Sequence, residues 1–192
     1  MRGKKEKGFC ILAMPELIEC APRGLYLPHP IKVEEIKPLY VTGNKKPIVC
    51  WYRSTITSAD LIERASRNLE DRCIFMELKG LMHEEALSVI ARSDIFIDIR
   101  TNGWYGLSAA EAMAYGKPVI GDIREDFAKE YHPPVTPYNV KENLTETLLS
   151  LLNDSKLRRR RGEASRNYAE TEHNVRIVVD KLLAIYAKLI EY

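Results

Sequence analysis

The chain has 192 residues, which is enough for one well-buried α/β domain, or for one domain with part of another, but too few for two complete domains. Its 29 basic and 27 acidic residues leave a net charge of +2, so no overall field points to nucleic acid as a partner. The four cysteines form no Cys-x-x-Cys pair, and we expect neither zinc nor disulfides. No apolar run approaches the roughly 20 residues that span a bilayer. We therefore expect a cytoplasmic protein, with a peripheral position at the inner membrane face left open.

The N-terminal part of the chain differs in composition from the rest. Residues 9–14 are an apolar run typical of a strand, and Pro15 then suits the first turn of a short helix. The stretch 21–47 contains five prolines and two glycines, which is the composition of a linker. These features predict that residues 1–45 are the tail of a first domain with a linker, and that residues 46–192 form a second domain.

The second part of the chain alternates between strand and helix patterns. The predicted strands cover 48–52, 73–78, 95–99 and 119–120, and the helices between them cover 58–69, 83–91 and 107–115. Four further helices are predicted over 126–131, 141–152, 155–169 and 175–189. Alternation of this kind requires right-handed crossovers and a parallel sheet covered on both faces. The predicted fold class is α/β, with a Rossmann-like parallel sheet flanked by helices and a helical C-terminal tail.

One stretch, residues 102–120, shows chemistry as well as structure. Gly103 and Gly106 form a loop before a helix, whose first N–H groups and dipole favour an anion. Glu111 follows just over one turn into that helix. A phosphate at the loop and a sugar hydroxyl at the carboxylate would fit together. An ordinary loop-helix-strand crossover is the alternative interpretation.

Other polar residues follow the predicted strands, at the edge where open parallel sheets bind ligands. Arg53 could pair with a diphosphate or form a surface salt bridge. The loop at Met82 could contact a flat base, whereas His83 is as well explained by its place at a helix start. Asp98 is expected to bond the local backbone or Arg100. The sequence contains no nucleophile-base pair, metal-ligand cluster or Walker-type phosphate loop.

Three blocks of sequence carry a resemblance to a known family. They are Pro-Glu-Leu-Ile-Glu-Cys-Ala-Pro at 15–22, Leu-Pro-His-Pro at 27–30 and Gly-Leu-Ser-Ala-Ala-Glu-Ala-Met-Ala-Tyr-Gly-Lys-Pro-Val-Ile at 106–120. From about residue 15 to residue 189, the chain resembles the tail of the first domain and the whole second domain of a GT-B-fold, retaining glycosyltransferase of group 1. Its Gly-Trp-Tyr-Gly loop at 103–106 resembles that of some branches of this family.

The resemblance implies a site for a nucleotide-sugar. Glu111 would take the ribose hydroxyls, and Arg53 would stabilise the departing diphosphate, so that no metal or other cofactor is needed. These two residues are the catalytic candidates. Backbone N–H groups near Gly106, Leu107 and Ser108 would face the diphosphate. The donor-binding candidates are Met82, Gly103, Tyr105, Gly106, Leu107, Ser108 and Glu111.

The chain departs from the family pattern at two points. The family has a glutamate eight positions before Glu111, where this chain has Gly103, so the sugar-contacting carboxylate is absent. A lysine followed by glycine is usual shortly after Arg53, but residues 54–58 contain neither. The sequence therefore leaves two functions open. One is the donor-binding half of a retaining glycosyltransferase, and the other is a non-catalytic binding or scaffold module of the same fold.

The expected partners follow from the first of these functions. The donor would be a nucleotide-sugar, the acceptor is unidentified, and no nucleic acid is expected. A separate polypeptide or a second copy of the chain would supply the N-terminal half.

Overall fold

The computed structural model describes residues 10–40, 44–52, 56–100, 102–137 and 144–190. The strands are β1 (Ile11–Leu12), β2 (Leu25–Tyr26), β3 (Ile48–Trp51), β4 (Ile74–Glu77), β5 (Ile95–Asp98), β6 (Val119–Gly121) and β7 (Thr136–Pro137). The helices are α1 (Ile56–Asn68), α2 (His83–Arg92), α3 (Leu107–Ala114), α4 (Glu125–Tyr131), α5 (Leu144–Asn153), α6 (Ser155–Tyr168) and α7 (Val175–Ile190). Short 3-10 helices cover Pro15–Glu19 and Val33–Glu35, and a π-helical turn covers Ala169–His173. Within these ranges, no helix is both long and apolar enough to cross a membrane.

The main sheet has five parallel strands in the order β4-β3-β5-β6-β7. Strands β5 and β6 are fully buried, and successive residues of the central strands belong alternately to two hydrophobic clusters. Phe96 packs with Met113 of α3 on one face, and Ile97 packs with Ile62 of α1 and Leu148 of α5 on the other. A parallel sheet needs helices on both faces, because its crossover connections place them there. The predicted α/β fold class is confirmed.

The N-terminal segment differs most from expectation. The strand predicted over 9–14 is only Ile11–Leu12 in the described residues, because it finds just two partners, in β2. The predicted linker 21–47 contains β2 and a 3-10 helix, and Ile31 donates its N–H to the carbonyl of His173. The division into two domains stays a prediction. β7 was missed, since a two-residue edge strand ending in proline has no periodicity to detect.

One buried arginine fastens this N-terminal segment to the helices. Arg166 of α6 donates to the carbonyl oxygens of Val33 (3.1 Å), Ile36 (2.9 Å) and Ala114 (2.7 Å). Its Nε also pairs with Glu170 at 2.6 Å. The guanidinium therefore satisfies carbonyl groups in two separate parts of the chain, which a shorter or uncharged side chain cannot do.

Helix α6 also packs closely against the end of α3. A Cβ on Gly162 would lie 2.2 Å from the carbonyl oxygen of Gly116, which is far inside van der Waals contact. Gly116 itself has a φ of 72°, a left-handed conformation that favours glycine. Only glycine therefore allows α6 to pack at this depth.

A buried histidine connects the aromatic core to the N-terminal segment. His173 is 1% exposed, and its Nδ1 lies 2.9 Å from the carbonyl oxygen of His29, to which it donates. Its Nε2 then accepts from the hydroxyl of Tyr105, also at 2.9 Å. Burial lowers the pKa of His173 to about 4, although the carbonyl of His29 opposes the shift. The folded protein therefore holds this imidazole neutral.

We expect this histidine to make the protein sensitive to mild acid. An unfolded histidine has a pKa near 6.5, so the unfolded state binds more protons between about pH 6.5 and pH 4, and stability falls as pH falls through that window. The loss should reach about 3 kcal/mol. Urea denaturation at pH 7.5 and pH 4.5 measures it, with His173→Gln as the comparison. A His173→Gln protein that loses as much stability as the wild type over this interval would contradict the assignment.

Candidate functional site

The strand order of the sheet reverses between β3 and β5. In open parallel sheets this reversal opens a crevice at the carboxyl ends of the strands, where ligands bind. Arg53, the predicted basic residue after β3, lies outside the described residues, as do Ser54 and Thr55. β5 ends at Asp98, and the chain then runs through residues 99–106 into α3. The β5 side of the crevice lies within the described residues.

Asp98 organises the loop before α3. The side chain is 2% exposed, and its Oδ2 accepts the N–H of Gly106 at 2.6 Å. Both of its oxygens also lie near Nε of Arg100, at 3.0 and 3.2 Å. The interpretation of Asp98 as a partner of the local backbone and of Arg100 is confirmed. Since the N–H of Gly106 is taken, the expected contact with a diphosphate falls to Leu107 and Ser108, whose N–H groups begin the helix.

Glu111 lies in the second turn of α3 and is 7% exposed. Its Oε1 lies 2.7 Å from Nε2 of His83, the first residue of α2. The side chain of His83 is 67% exposed, so the pair spans the boundary between core and solvent. Sequence reasoning missed this contact, because 28 residues separate its members. The one available signal was the position of His83 at the start of the helix after β4.

Glu111 and His83 form part of the wall of a pocket of about 360 Å³. Leu107 and Leu87 add apolar surface from the same side. Residues 30–36 of the N-terminal segment also line it, among them Lys32 and Glu35. An apolar pocket with one buried carboxylate is suited to a ligand that has both a flat or aliphatic part and hydroxyl groups. Of the predicted residues, the structure brings Leu107 and Glu111 together here.

The remaining predicted residues are spread more widely. Met82 is 75% exposed, and its N–H donates to Glu85 at the start of α2. Ser108 is half-buried in the first turn of α3. Tyr105 is 2% exposed, and its ring stacks on Trp104 inside the core. Its side chain therefore faces away from any ligand in the crevice, and a donor contact at this position is limited to the backbone.

Gly103 lies beside a second, more polar pocket of about 590 Å³, together with Glu16, Asn102 and Arg124. The φ of Gly103 is 74°, and a Cβ there would lie 2.9 Å from Cβ of Arg124. A glutamate at position 103 would therefore require this loop to rearrange. The backbone conformation of this loop therefore favours glycine over glutamate at position 103.

The family resemblance predicts a reaction that needs no metal ion, and the structure bears on this only through the grouping of possible ligands. Over the parts of the chain that the structure describes, no three His, Cys, Asp or Glu side chains are grouped so that they could hold a metal ion. The independence from metal remains an expectation.

Comparison with known families identifies the family to which the chain belongs. The model of the family "Glycosyl transferases group 1" matches residues 60–168, which is more than half of the chain. The chain belongs to this glycosyltransferase family. The match runs from α1 to the end of α6 and includes Glu111, whereas Arg53 and the blocks at 15–22 and 27–30 lie outside it. No curated protein sequence matches the chain.

Solved glycosyltransferase structures share the fold. Sucrose-phosphate synthase from Thermosynechococcus elongatus is 18% identical with a TM-score of 0.64, and covers 95% of this chain and 58% of its own. The GtfA/B complex is 14% identical with a TM-score of 0.67, covering 96% and 46%. HepE from Anabaena, solved in complex with UDP-glucose, is 12% identical with a TM-score of 0.62, covering 88% and 58%. At these identities the likeness shows the GT-B fold, and the chain spans about half of each neighbour.

Proposed function

We propose that the chain is the nucleotide-sugar-binding half of a glycosyltransferase that transfers a hexose to an acceptor with retention. The observation that carries this proposal is Glu111. It is a nearly buried carboxylate on α3 of a group 1 glycosyltransferase, and it lines a pocket at the crevice of the sheet. A carboxylate in that setting can accept two hydrogen bonds from neighbouring ribose hydroxyls, and His83 lies within hydrogen-bond distance of it.

The diphosphate would then lie towards the start of α3. The N–H groups of Leu107 and Ser108 and the helix dipole favour negative charge there. Arg53 would stabilise the departing diphosphate without a metal. The structure of HepE with UDP-glucose supports a nucleotide-sugar as the ligand of this fold.

The acceptor side of the reaction would come from elsewhere. The chain spans between 46% and 58% of the three neighbours compared above, so a further half is needed for a complete two-domain site. We infer that this half comes from residues outside the sequence of this chain, and a partner polypeptide or a second copy is one source of it. The GtfA/B complex, a neighbour solved as an assembly, supports this arrangement.

A second function is favoured by Gly103. Without a carboxylate at that position, the site lacks one contact to the donor sugar, which suits a module that binds a nucleotide or another glycosyltransferase without catalysis. Supplying candidate N-terminal halves and following sugar transfer from a bound donor separates the two functions. A chain that binds the donor and never supports transfer is the non-catalytic module.

The first test of donor binding is the melting temperature with UDP-, GDP- and ADP-sugars. A ligand at about 100 times its dissociation constant stabilises the folded state by about 2.7 kcal/mol. For a chain of this size, that raises the melting temperature by roughly 5–10 °C. Glu111→Gln removes the charge on the acceptor of the ribose hydroxyls, and we expect it to weaken binding by roughly 10- to 100-fold.

The matched control is Glu146→Gln, a change of the same kind at an exposed position on α5. It should leave the ligand-dependent shift unchanged. The donor-site assignment fails for this chain if none of the three nucleotide-sugars raises the melting temperature of the wild type. It fails equally if Glu111→Gln binds the donor as tightly as Glu146→Gln.

A further inference from the structure

Arg100 is a cation at the crevice to which the proposed donor site assigns no role. It lies two residues after the end of β5, and among the described residues its Nε is held by the two oxygens of Asp98. Its guanidinium packs against Gly106, where a Cβ would lie 2.0 Å from one terminal nitrogen. Gly106 is the residue that caps the N-terminus of α3. The terminal nitrogens of Arg100 therefore lie beside the helix end that favours an anion.

The exposure of Arg100 suits a binding role. Its side chain is 24% exposed, so it is fixed by its surroundings and still reaches solvent. Asp98 holds Nε, and a planar guanidinium held in this way presents its two terminal N–H₂ groups in a fixed direction. Such a fork matches the oxygens of a phosphate.

The charge of Arg100 is felt by two residues of the N-terminal segment, Glu16 and His29. Burial lowers the pKa of His29, and the nearby Arg100 guanidinium lowers it further. Burial raises the pKa of Glu16, with Arg100 among the groups that oppose the shift. Both effects indicate that the guanidinium lies within electrostatic reach of these two side chains. An anion approaching Arg100 would meet the positive field of the guanidinium.

We propose that Arg100 binds the diphosphate of the nucleotide-sugar, as a second cation beside the start of α3. The proposal rests on the proposed function and assigns the residue that replaces the basic partner missing after Arg53. Glu111 lies five residues beyond Gly106, or about 7.5 Å along the helix axis at 1.5 Å per residue. A nucleoside diphosphate can bridge that span, with its ribose at Glu111 and its phosphates at Arg100.

The test compares ligands that do and do not contain phosphate. Calorimetric titration measures the dissociation constants of the nucleoside diphosphate, the matching nucleoside and inorganic pyrophosphate for the wild type and for Arg100→Gln. We expect Arg100→Gln to weaken the binding of the nucleoside diphosphate and of pyrophosphate by roughly 10- to 100-fold, and to leave the binding of the nucleoside unchanged. The affinity of Arg100→Lys for these two ligands should lie between those of the wild type and Arg100→Gln, because lysine keeps the positive charge but lacks the paired N–H groups of the guanidinium. Arg64→Gln, an exposed change on α1, is the matched control.

Each outcome decides between the two proposals. Equal weakening of nucleoside and diphosphate by Arg100→Gln would show a structural role through Asp98 and overturn this inference, and so would unchanged binding of the diphosphate. A wild type that binds nucleosides but neither phosphate ligand would also overturn it, while the ribose site at Glu111 would stand. A wild type that binds pyrophosphate through Arg100 and no nucleotide would instead overturn the proposed function and keep the anion site.

Discussion

Replacing Arg166 with methionine is expected to lower the free energy of unfolding by about 3–5 kcal/mol. Methionine fills a similar volume but donates no hydrogen bond. The carbonyl oxygens of Val33, Ile36 and Ala114 would lose this donor. The carbonyl of Val33 would keep the N–H of Ile36 as a donor. Taking the donor from the other two buried carbonyls costs more than the pairing itself contributes, because these carbonyls were bonded to water in the unfolded chain. Urea denaturation at pH 7.5 measures the change.

Two further variants separate the charge of Arg166 from its geometry. Arg166→Lys keeps the positive charge, but an ammonium cannot reach three carbonyls in the fixed directions of a guanidinium, so an intermediate loss is expected. Arg159→Met changes an exposed arginine on the same helix, where the pair with Glu163 should contribute at most about 1 kcal/mol. A loss for Arg166→Met no larger than that for Arg159→Met would show that the buried guanidinium does not hold the N-terminal segment.

Replacing Asp98 with alanine is expected to affect both stability and binding. The substitution removes the acceptor of the buried Gly106 N–H and leaves Arg100 without its partner. We expect a loss of about 2–4 kcal/mol in the free energy of unfolding. Because the loop before α3 would then lose its anchor, nucleotide binding should fall even at temperatures where the variant is fully folded.

Two variants serve as comparisons for Asp98→Ala. Asp98→Asn keeps an acceptor at this position, and Asp180→Ala is the exposed control. The amide oxygen of asparagine can still accept the N–H of Gly106, but it is uncharged towards Arg100, so a smaller loss of stability and weaker binding are expected. Asp180 is exposed on α7, and its replacement should change neither property by much. The role of Asp98 would be contradicted by an Asp98→Ala protein that keeps wild-type affinity for nucleoside diphosphates.

Much of the fold could be predicted because the central strands β5 and β6 are buried on both faces. Such strands appear as continuous apolar runs, and the helices between them show an apolar face every three to four residues. The elements from β3 to β6 therefore follow the sequence closely. The short strands β1 and β7 did not, because two residues carry no period and only a neighbouring strand defines them.

The candidate site could be predicted only in part. Glu111 was predicted because it lies in a local motif whose helix start, carboxylate and following strand are contiguous in the chain, and the structure places it in the wall of a pocket. Its role in binding stays a prediction. Tyr105 was assigned to the ligand because it lies in the same motif, yet its ring is buried beside Trp104. Position in a motif says which residues are near the crevice. The direction of each side chain depends on the packing around it.

The sequence by itself determined the family and the parallel sheet, and it placed the carboxylate Glu111 on the helix after β5, since each of these follows from apolar periodicity or from a contiguous motif. Only the tertiary structure decided that His83 pairs with Glu111, that Asp98 holds both Gly106 and Arg100, and that Arg166 holds the N-terminal segment. The Arg166 contact with Val33 joins residues 133 positions apart. No local pattern encodes such a contact, because it depends on how separate elements pack in three dimensions.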